Sequence, residues 1–130
     1  MVELFFLLSG EHPTLPFSEV EAILKAEGQK YKVLGKHTQL LQLEASLESV
    51  ESIVDRAAMT RICSLELLHT KSRLSEILRK TRSIPFESYV KKGGTFVVRL
   101  RRIREAAPDV QVPMLEQELG GVILDAVKGM

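Results

Sequence analysis

The order in which apolar periodicity changes along the first seventy residues is what most restricts the fold. Val2 to Leu8 is a continuous apolar run with Glu3 alone inside it, the pattern of a strand covered on both faces or nearly so. Ser9-Gly10-Glu11-His12-Pro13 breaks the run. From Pro16 to Glu27, Val20, Ile23 and Leu24 recur at helical spacing, Ser18 and Glu21 have the spacing of a capping box, and Gly28 supplies a stop. Tyr31 to Leu34 and Leu40 to Leu43 are short apolar runs separated by Gly35-Lys36-His37-Thr38, a hairpin pattern. Ser46 offers a cap for a second helix, in which Leu47, Val50, Ile53, Val54 and Ala57 keep the period to about Ala58. Ile62 to Leu68 reads as a last strand, with Cys63, Leu65 and Leu67 on one face and Ser64 and Glu66 on the other.

This β-α-β-β-α-β order, closed by right-handed crossovers, predicts an α+β domain over residues 1–70. Its sheet has four antiparallel strands with both helices on one face, the ferredoxin-like βαββαβ arrangement. Fold alone leaves function open.

A second part begins near Lys71. Leu74, Ile77 and Leu78 mark a helix from Arg73 to about Arg82, and Ile84-Pro85-Phe86 ends it. A second short turn closes at Lys91-Lys92-Gly93-Gly94. Thr95 to Ile103 reads as a strand in which Phe96, Val98 and Leu100 point one way and Thr95, Arg99 and Arg101 the other. After the Ala106-Ala107-Pro108-Asp109 turn, Pro113 opens a helix carried by Leu115, Leu119, Val122, Ile123 and Ala126. Gly120-Gly121 stands in its middle. Each glycine costs about 1 kcal/mol against alanine in a helix interior, so the pair predicts a close approach to a neighbouring strand or a ligand. One strand has no ladder partner, so residues 71–130 read as a domain whose remaining strands lie beyond Met130.

Charge is divided along the chain although its net is only +1. Met1 to Thr70 holds six Lys or Arg against ten Asp or Glu, and Glu105 to Met130 one against five. Lys71 to Arg104 holds eleven against two, a net of +9. Such a block makes a directional field that attracts polyanions. A solvated surface neutralised by the acidic ends is the competing reading. The absence of Trp, with two Tyr and five Phe, disfavours binding by base stacking. No apolar run approaches the roughly 20 residues of a membrane-spanning helix, and Leu4 to Leu8 is too short for a signal-peptide core. One cysteine, Cys63, excludes an internal disulfide and a multi-cysteine metal site, which fits a cytoplasmic setting.

Leu7-Leu8-Ser9-Gly10-Glu11-His12-Pro13 and the helix after it resemble the opening of archaeal tRNA guanosine-10 methyltransferases. Phe96-Val97-Val98-Arg99-Leu100-Arg101-Arg102, followed by Leu115-Glu116-Gln117-Glu118-Leu119-Gly120-Gly121-Val122-Ile123, is similar to the middle of a THUMP domain. The resemblance covers essentially the whole chain. It implies a ferredoxin-like domain at 1–70, a THUMP domain at 71–130 incomplete at its C-terminal end, and tRNA as partner, held by its acceptor end. It also implies a C-terminal methyltransferase domain of the same gene product, which takes methyl groups from S-adenosylmethionine. The family's catalytic pattern, an acidic or amide residue followed by two prolines and an aromatic, is missing here, since all five prolines are isolated. No catalytic, cofactor or metal residue is therefore assigned within these residues. Because THUMP domains are shared, thiouridine or pseudouridine enzymes and a deaminase partner are alternatives. So is a ferredoxin-like protein-interaction module.

The candidate RNA contacts are Arg99, Arg101, Arg102 and Arg104, which suit bidentate phosphate binding, with surface ion pairing as the competing reading. Lys91 and Lys92 precede Gly93-Gly94, whose backbone amides suit a phosphate as well as a plain tight turn. Lys71, Arg73, Arg79, Lys80 and Arg82 extend the basic surface along the linker helix, where solvation alone also explains them. His12 beside Glu11 reads as a turn residue before it reads as a general base. His37, His69 and Cys63 are too scattered for a metal site, and Cys63 reads as a small strand core residue.

Overall fold

Two strands flank the Val2–Leu8 run, and a third pairs with one of them. The computed structural model describes residues 1–103 and 111–128, which hold one four-stranded antiparallel sheet and four α-helices. By contacts the chain divides into two units, Met1–Leu67 and Leu68–Met130. The first contains β1 (Val2–Leu8), α1 (Leu15–Ala26), β2 (Tyr31–His37), β3 (Leu40–Ala45), α2 (Glu48–Arg56) and β4 (Thr60–Leu65). The second contains α3 (Leu74–Arg82), a single 3-10 turn at Phe86–Ser88 and α4 (Val112–Val127).

Strand order across the sheet is β2-β3-β1-β4. Leu4 pairs with Leu43 on β3 and Leu65 on β4, and Phe6 pairs with Leu41 and Cys63. Because side chains alternate across a strand, Leu4, Phe6 and Leu8 share one face with Leu41, Leu43 and Ala45. Val20, Ile23 and Leu24 of α1 and Ile53 of α2 close over that face, and all ten residues are buried. Both helices therefore lie on the same side of the sheet. The other face carries half-buried Phe5, Leu7, Leu40 and Ile62 around a buried Gln42. Gln42 donates its amide to Glu66, and its Oε1 lies 2.8 Å from His37 Nε2, which must be the donor because an amide oxygen only accepts.

Polar groups fix the ends of these elements. His12 Nδ1 accepts from the Thr14 and Leu15 amides at 3.2 and 3.0 Å, so the turn histidine satisfies first-turn donors of α1. The expected Ser18–Glu21 capping box does not form, because the helix starts at Leu15, Ser18 Oγ bonds back to the Thr14 carbonyl and Glu21 faces β2. Glu21 accepts from Tyr31 Oη and Lys36 Nζ, both at 3.1 Å. Burial alone raises the Glu21 carboxyl, but these two donors outweigh it and hold it below the ordinary value. Burial, then the bond to Glu21, pushes the Tyr31 phenol up. Glu19 accepts from the amides of Ala58 and Met59, tying α1 to the α2–β4 connection. Arg56 on α2 pairs with Glu27 at the end of α1 at 3.0 Å. Ser46 does not cap α2: its hydroxyl meets Gln29 and Ser49, and Leu47 occupies the cap position.

The hairpin turn lies later than its glycine suggests. β2 runs on through Lys36 and His37, and the chain reverses at Thr38 and Gln39, with Gln39 at φ 59°. Gly35 sits instead where the β2–β3 register slips, and a Cβ there would stand 2.7 Å from Gln42 Oε1. A bulge, and not a turn, requires this glycine.

In the second unit α3 and the 3-10 turn pack on α4, around buried Thr81, Phe86 and Leu115. The strand expected over Thr95 to Ile103 is not formed, because among the described residues no neighbouring strand completes a ladder with it. Its alternation survives: Phe96, Val98 and Leu100 are half-buried, while Thr95, Val97, Arg99 and Arg101 are exposed. Leu100 donates its amide to Glu116 Oε2 at 3.0 Å, so a side chain of α4 takes the place of a ladder carbonyl. The close approach expected at Gly120 and Gly121 is also missing, since a Cβ on either meets nothing within 4 Å. The Ala106 to Asp109 turn and Arg104 lie outside the described residues.

Candidate nucleic-acid interface

The basic residues of the second unit fall into three local groups. Arg79 and Arg82 are exposed in the last turn of α3, where cations complement the carbonyl end of the helix. Lys80 between them instead donates to the His69 carbonyl at 3.2 Å, while Thr81 turns inward and bonds the Ile77 carbonyl. The second group is Lys91 and Lys92, both exposed. The Gly94 amide donates to the Lys91 carbonyl at 2.8 Å, Gly93 stands at φ 76°, and a Cβ on Gly94 would press the Lys91 oxygen at 2.9 Å. This is a closed tight turn whose Gly94 amide is already used, so the two ammonium groups are what it presents. Arg99 and Arg101 form the third group, on the exposed side of the extended segment that Glu116 anchors through Leu100. Arg102 beside them is exposed too.

Among the described residues, Lys91, Lys92, Arg99 and Arg101 have no carboxylate within ion-pair distance. Arg82 differs in its surroundings. It lines an open cleft of about 730 Å³ with Gln117, Glu118, Gly121, Val122, Asp125 and Ala126 of α4. Glu118 and Asp125 line the same cleft as this guanidinium without an ion pair to it, and carboxylates in a shared cleft oppose a phosphate there. Sequence reasoning missed Glu118 and Asp125 as neighbours of Arg82. Their spacing of seven residues, two helical turns, was the signal that they share a face of α4. Glu116 was missed as well, and only the folded chain brings it to Leu100.

The remaining candidates have structural roles in the first unit. Cys63 is half-buried beside Phe6, and burial pushes its thiol up to about 11, which suits a packing residue and not a nucleophile. His12 caps a helix. Among the described residues no three His, Cys, Asp or Glu side chains converge on a metal position, and no helix is long and apolar enough to cross a membrane. No protein-family model matches this chain, and no curated protein matches it.

Proposed function

We infer that this chain binds tRNA, as the N-terminal region of an S-adenosylmethionine-dependent tRNA guanine-10 methyltransferase of the cytoplasm. Its part is to position the acceptor end for a catalytic domain of the same gene product. The observation that carries the reading is the set of exposed cations Lys91, Lys92, Arg99 and Arg101, without carboxylate partners among the described residues. These lie in a stretch of net +9 within a chain of net +1. Guanidinium and ammonium groups in an aromatic-poor chain suit phosphates and 2′-hydroxyls of an A-form end. The sheet order, read from its other edge as β4-β1-β3-β2 with both helices on one side, supports a ferredoxin-like first domain. The THUMP reading of the second rests on the sequence resemblance. The residues present do not fit S-adenosylmethionine: Gly93-Gly94 is closed on Lys91, and Gly120-Gly121 lies mid-helix. Methyl transfer therefore belongs to the further domain, and this chain contributes orientation.

The test is the salt dependence of tRNA binding. Each phosphate neutralised contributes roughly 0.7 to 0.9 to the slope of log K against log salt concentration. Replacing Lys91, Lys92, Arg99 and Arg101 by Gln should flatten the slope by about 3. Arg82→Gln should change it least. A slope untouched by the fourfold substitution would refute the reading.

A further inference from the structure

The two edges of the four-stranded sheet are finished differently. At the β2 edge Lys30, Lys32 and Lys36 stand in or beside the strand, its register slips between Val33 and Gly35, and α1 reaches it through Glu21. Lysines and bulges are among the devices that stop a sheet edge from pairing with another chain. The β4 edge lacks them over most of its length. One irregularity, at Arg61, interrupts its register with β1. From Ile62 to Leu65 the pairing is regular, and the Glu66 amide continues it by donating to the Glu3 carbonyl at 3.0 Å. No lysine lies in this stretch, and Leu65 is 39% exposed.

The helix beside this edge is apolar on the matching flank. α1 lies towards β2, where Glu21 bonds Tyr31 and Lys36, whereas α2 packs on β4. Arg56 marks the flank of α2 turned to α1, since it pairs with Glu27. At about 100° per residue, Leu47 and Val54 fall in one stripe on the opposite flank, the one towards the β4 edge. They are 57% and 68% exposed, the two most exposed leucine or valine side chains of the first unit.

Backbone parity says which groups of β4 are unused. Glu66 turns its amide to β1, so Ser64 and Ile62 do the same, and Cys63 and Leu65 direct theirs outward. We propose that the β4 edge is a homodimer interface, in which Ile62–Glu66 of two copies pair antiparallel about a two-fold axis at Ser64. In this register Cys63 of each copy exchanges both backbone bonds with Leu65 of the other, Ile62 faces Glu66, and Ser64 faces its own counterpart. No like charges stand opposite one another. Arg61 of each copy comes to the end of the strand where the other carries Glu66, an opposite charge. The axis keeps the helices of both copies on one side, so the Leu47 and Val54 stripes turn towards each other and cover apolar with apolar. The edge chemistry, the apolar flank and the charge order thus fit a second copy of this chain. The proposal rests on the first unit alone and is independent of RNA binding.

The test is sedimentation equilibrium of the full chain from low to several hundred micromolar. The average mass should rise from 14.6 kDa towards twice that value. Leu65→Lys, which gives this edge the kind of guard β2 has, and Val54→Glu, which sets like charges across the axis, should each weaken association about tenfold or more with an unchanged circular dichroism spectrum. As a register check, Cys63→Ser with Ser64→Cys should oxidise readily to a disulfide-linked dimer, because Ser64 forms a close non-hydrogen-bonded pair with its counterpart. Cys63→Ser with Lys32→Cys should not. A monomer at every concentration overturns the proposal. So does a dimer indifferent to both edge substitutions, or equal crosslinking from positions 64 and 32.

Discussion

Glu19 offers the most direct check on how the first unit is held together. Its carboxylate accepts from the Ala58 amide at 3.1 Å through both oxygens and from the Met59 amide at 2.9 Å, across about forty residues of sequence. Glu19→Ala releases both amides. The one at Ala58 is exposed and rehydrates, so its loss costs about 0.5 kcal/mol, whereas the partly buried one at Met59 costs about 1.5 kcal/mol. The total of about 2 kcal/mol corresponds to a fall in Tm of roughly 10 °C for a unit of this size. Native-state hydrogen exchange isolates the effect to the first unit, because the amides of β1, bonded on both sides, open only when the whole sheet does. Their exchange should accelerate roughly 30-fold. Glu19→Gln keeps one carbonyl acceptor but sets an NH2 group against the second amide, so it should lose about half as much. Acceleration below threefold in Glu19→Ala would show that the connection is held by packing and not by this carboxylate.

Three further outcomes follow from named groups. Burial raises the Cys63 thiol from 9.0 to about 11, so its thiolate fraction near neutral pH is about 100-fold below the ordinary one, and alkylation of the native chain should be slower than that of the urea-unfolded chain by at least that factor. Equal rates would refute the burial. Glu21 has a lowered carboxyl, so its pairing contributes stability above the ordinary carboxyl range and loses it as pH falls through the lowered value. Lys36→Met should therefore be less stable than wild type at neutral pH by under about 1 kcal/mol, with the gap closing as the solution is acidified below 4.5. A gap constant with pH would point to lost packing of the lysine stem instead. Gly120→Ala and Gly121→Ala should each stabilise α4 by up to about 1 kcal/mol, measured by thermal circular dichroism, because nothing stands within 4 Å of the added carbon. Destabilisation would refute the open surroundings of these two glycines.

The first unit was legible because its elements are specified locally and agree with one another. The apolar positions of β1, α1 and β3 differ in period, and the same residues that set the periods, Leu4, Phe6, Val20, Ile23, Leu24, Leu41 and Leu43, are the buried core. The details that escaped depend on contacts between segments distant in sequence. Gly35 is a common turn signal, and only the Gln42 side chain pressing on it from β3 shows that it is a bulge. Ser18 and Glu21 have capping-box spacing, but Tyr31 and Lys36 on β2 take the carboxylate. His12 replaces them as the cap through an imidazole nitrogen that accepts from the Thr14 and Leu15 amides, a pattern for which no spacing rule exists.

The second unit was less legible for a physical reason that also bears on its function. Alternation over Thr95 to Arg101 records which side chains are apolar, and the structure honours that record by half-burying Phe96, Val98 and Leu100. A ladder needs a second strand, which alternation in one segment cannot supply. What holds Arg99 and Arg101 outward is instead one carboxylate, Glu116, acting on the amide between them. The charge pattern was visible in composition, but its quality was not. Arg82 and Arg99 count equally towards a net charge of +9, yet Arg82 shares a cleft with Glu118 and Asp125 of α4, whereas Arg99 is exposed beside the Leu100 amide that Glu116 binds. Counting charges along a chain therefore records neither the cleft that Arg82 shares with two carboxylates nor the anchoring of the Arg99 segment by a third. The substitutions that best separate a polyanion site from a merely basic surface are those that compare these two arginines.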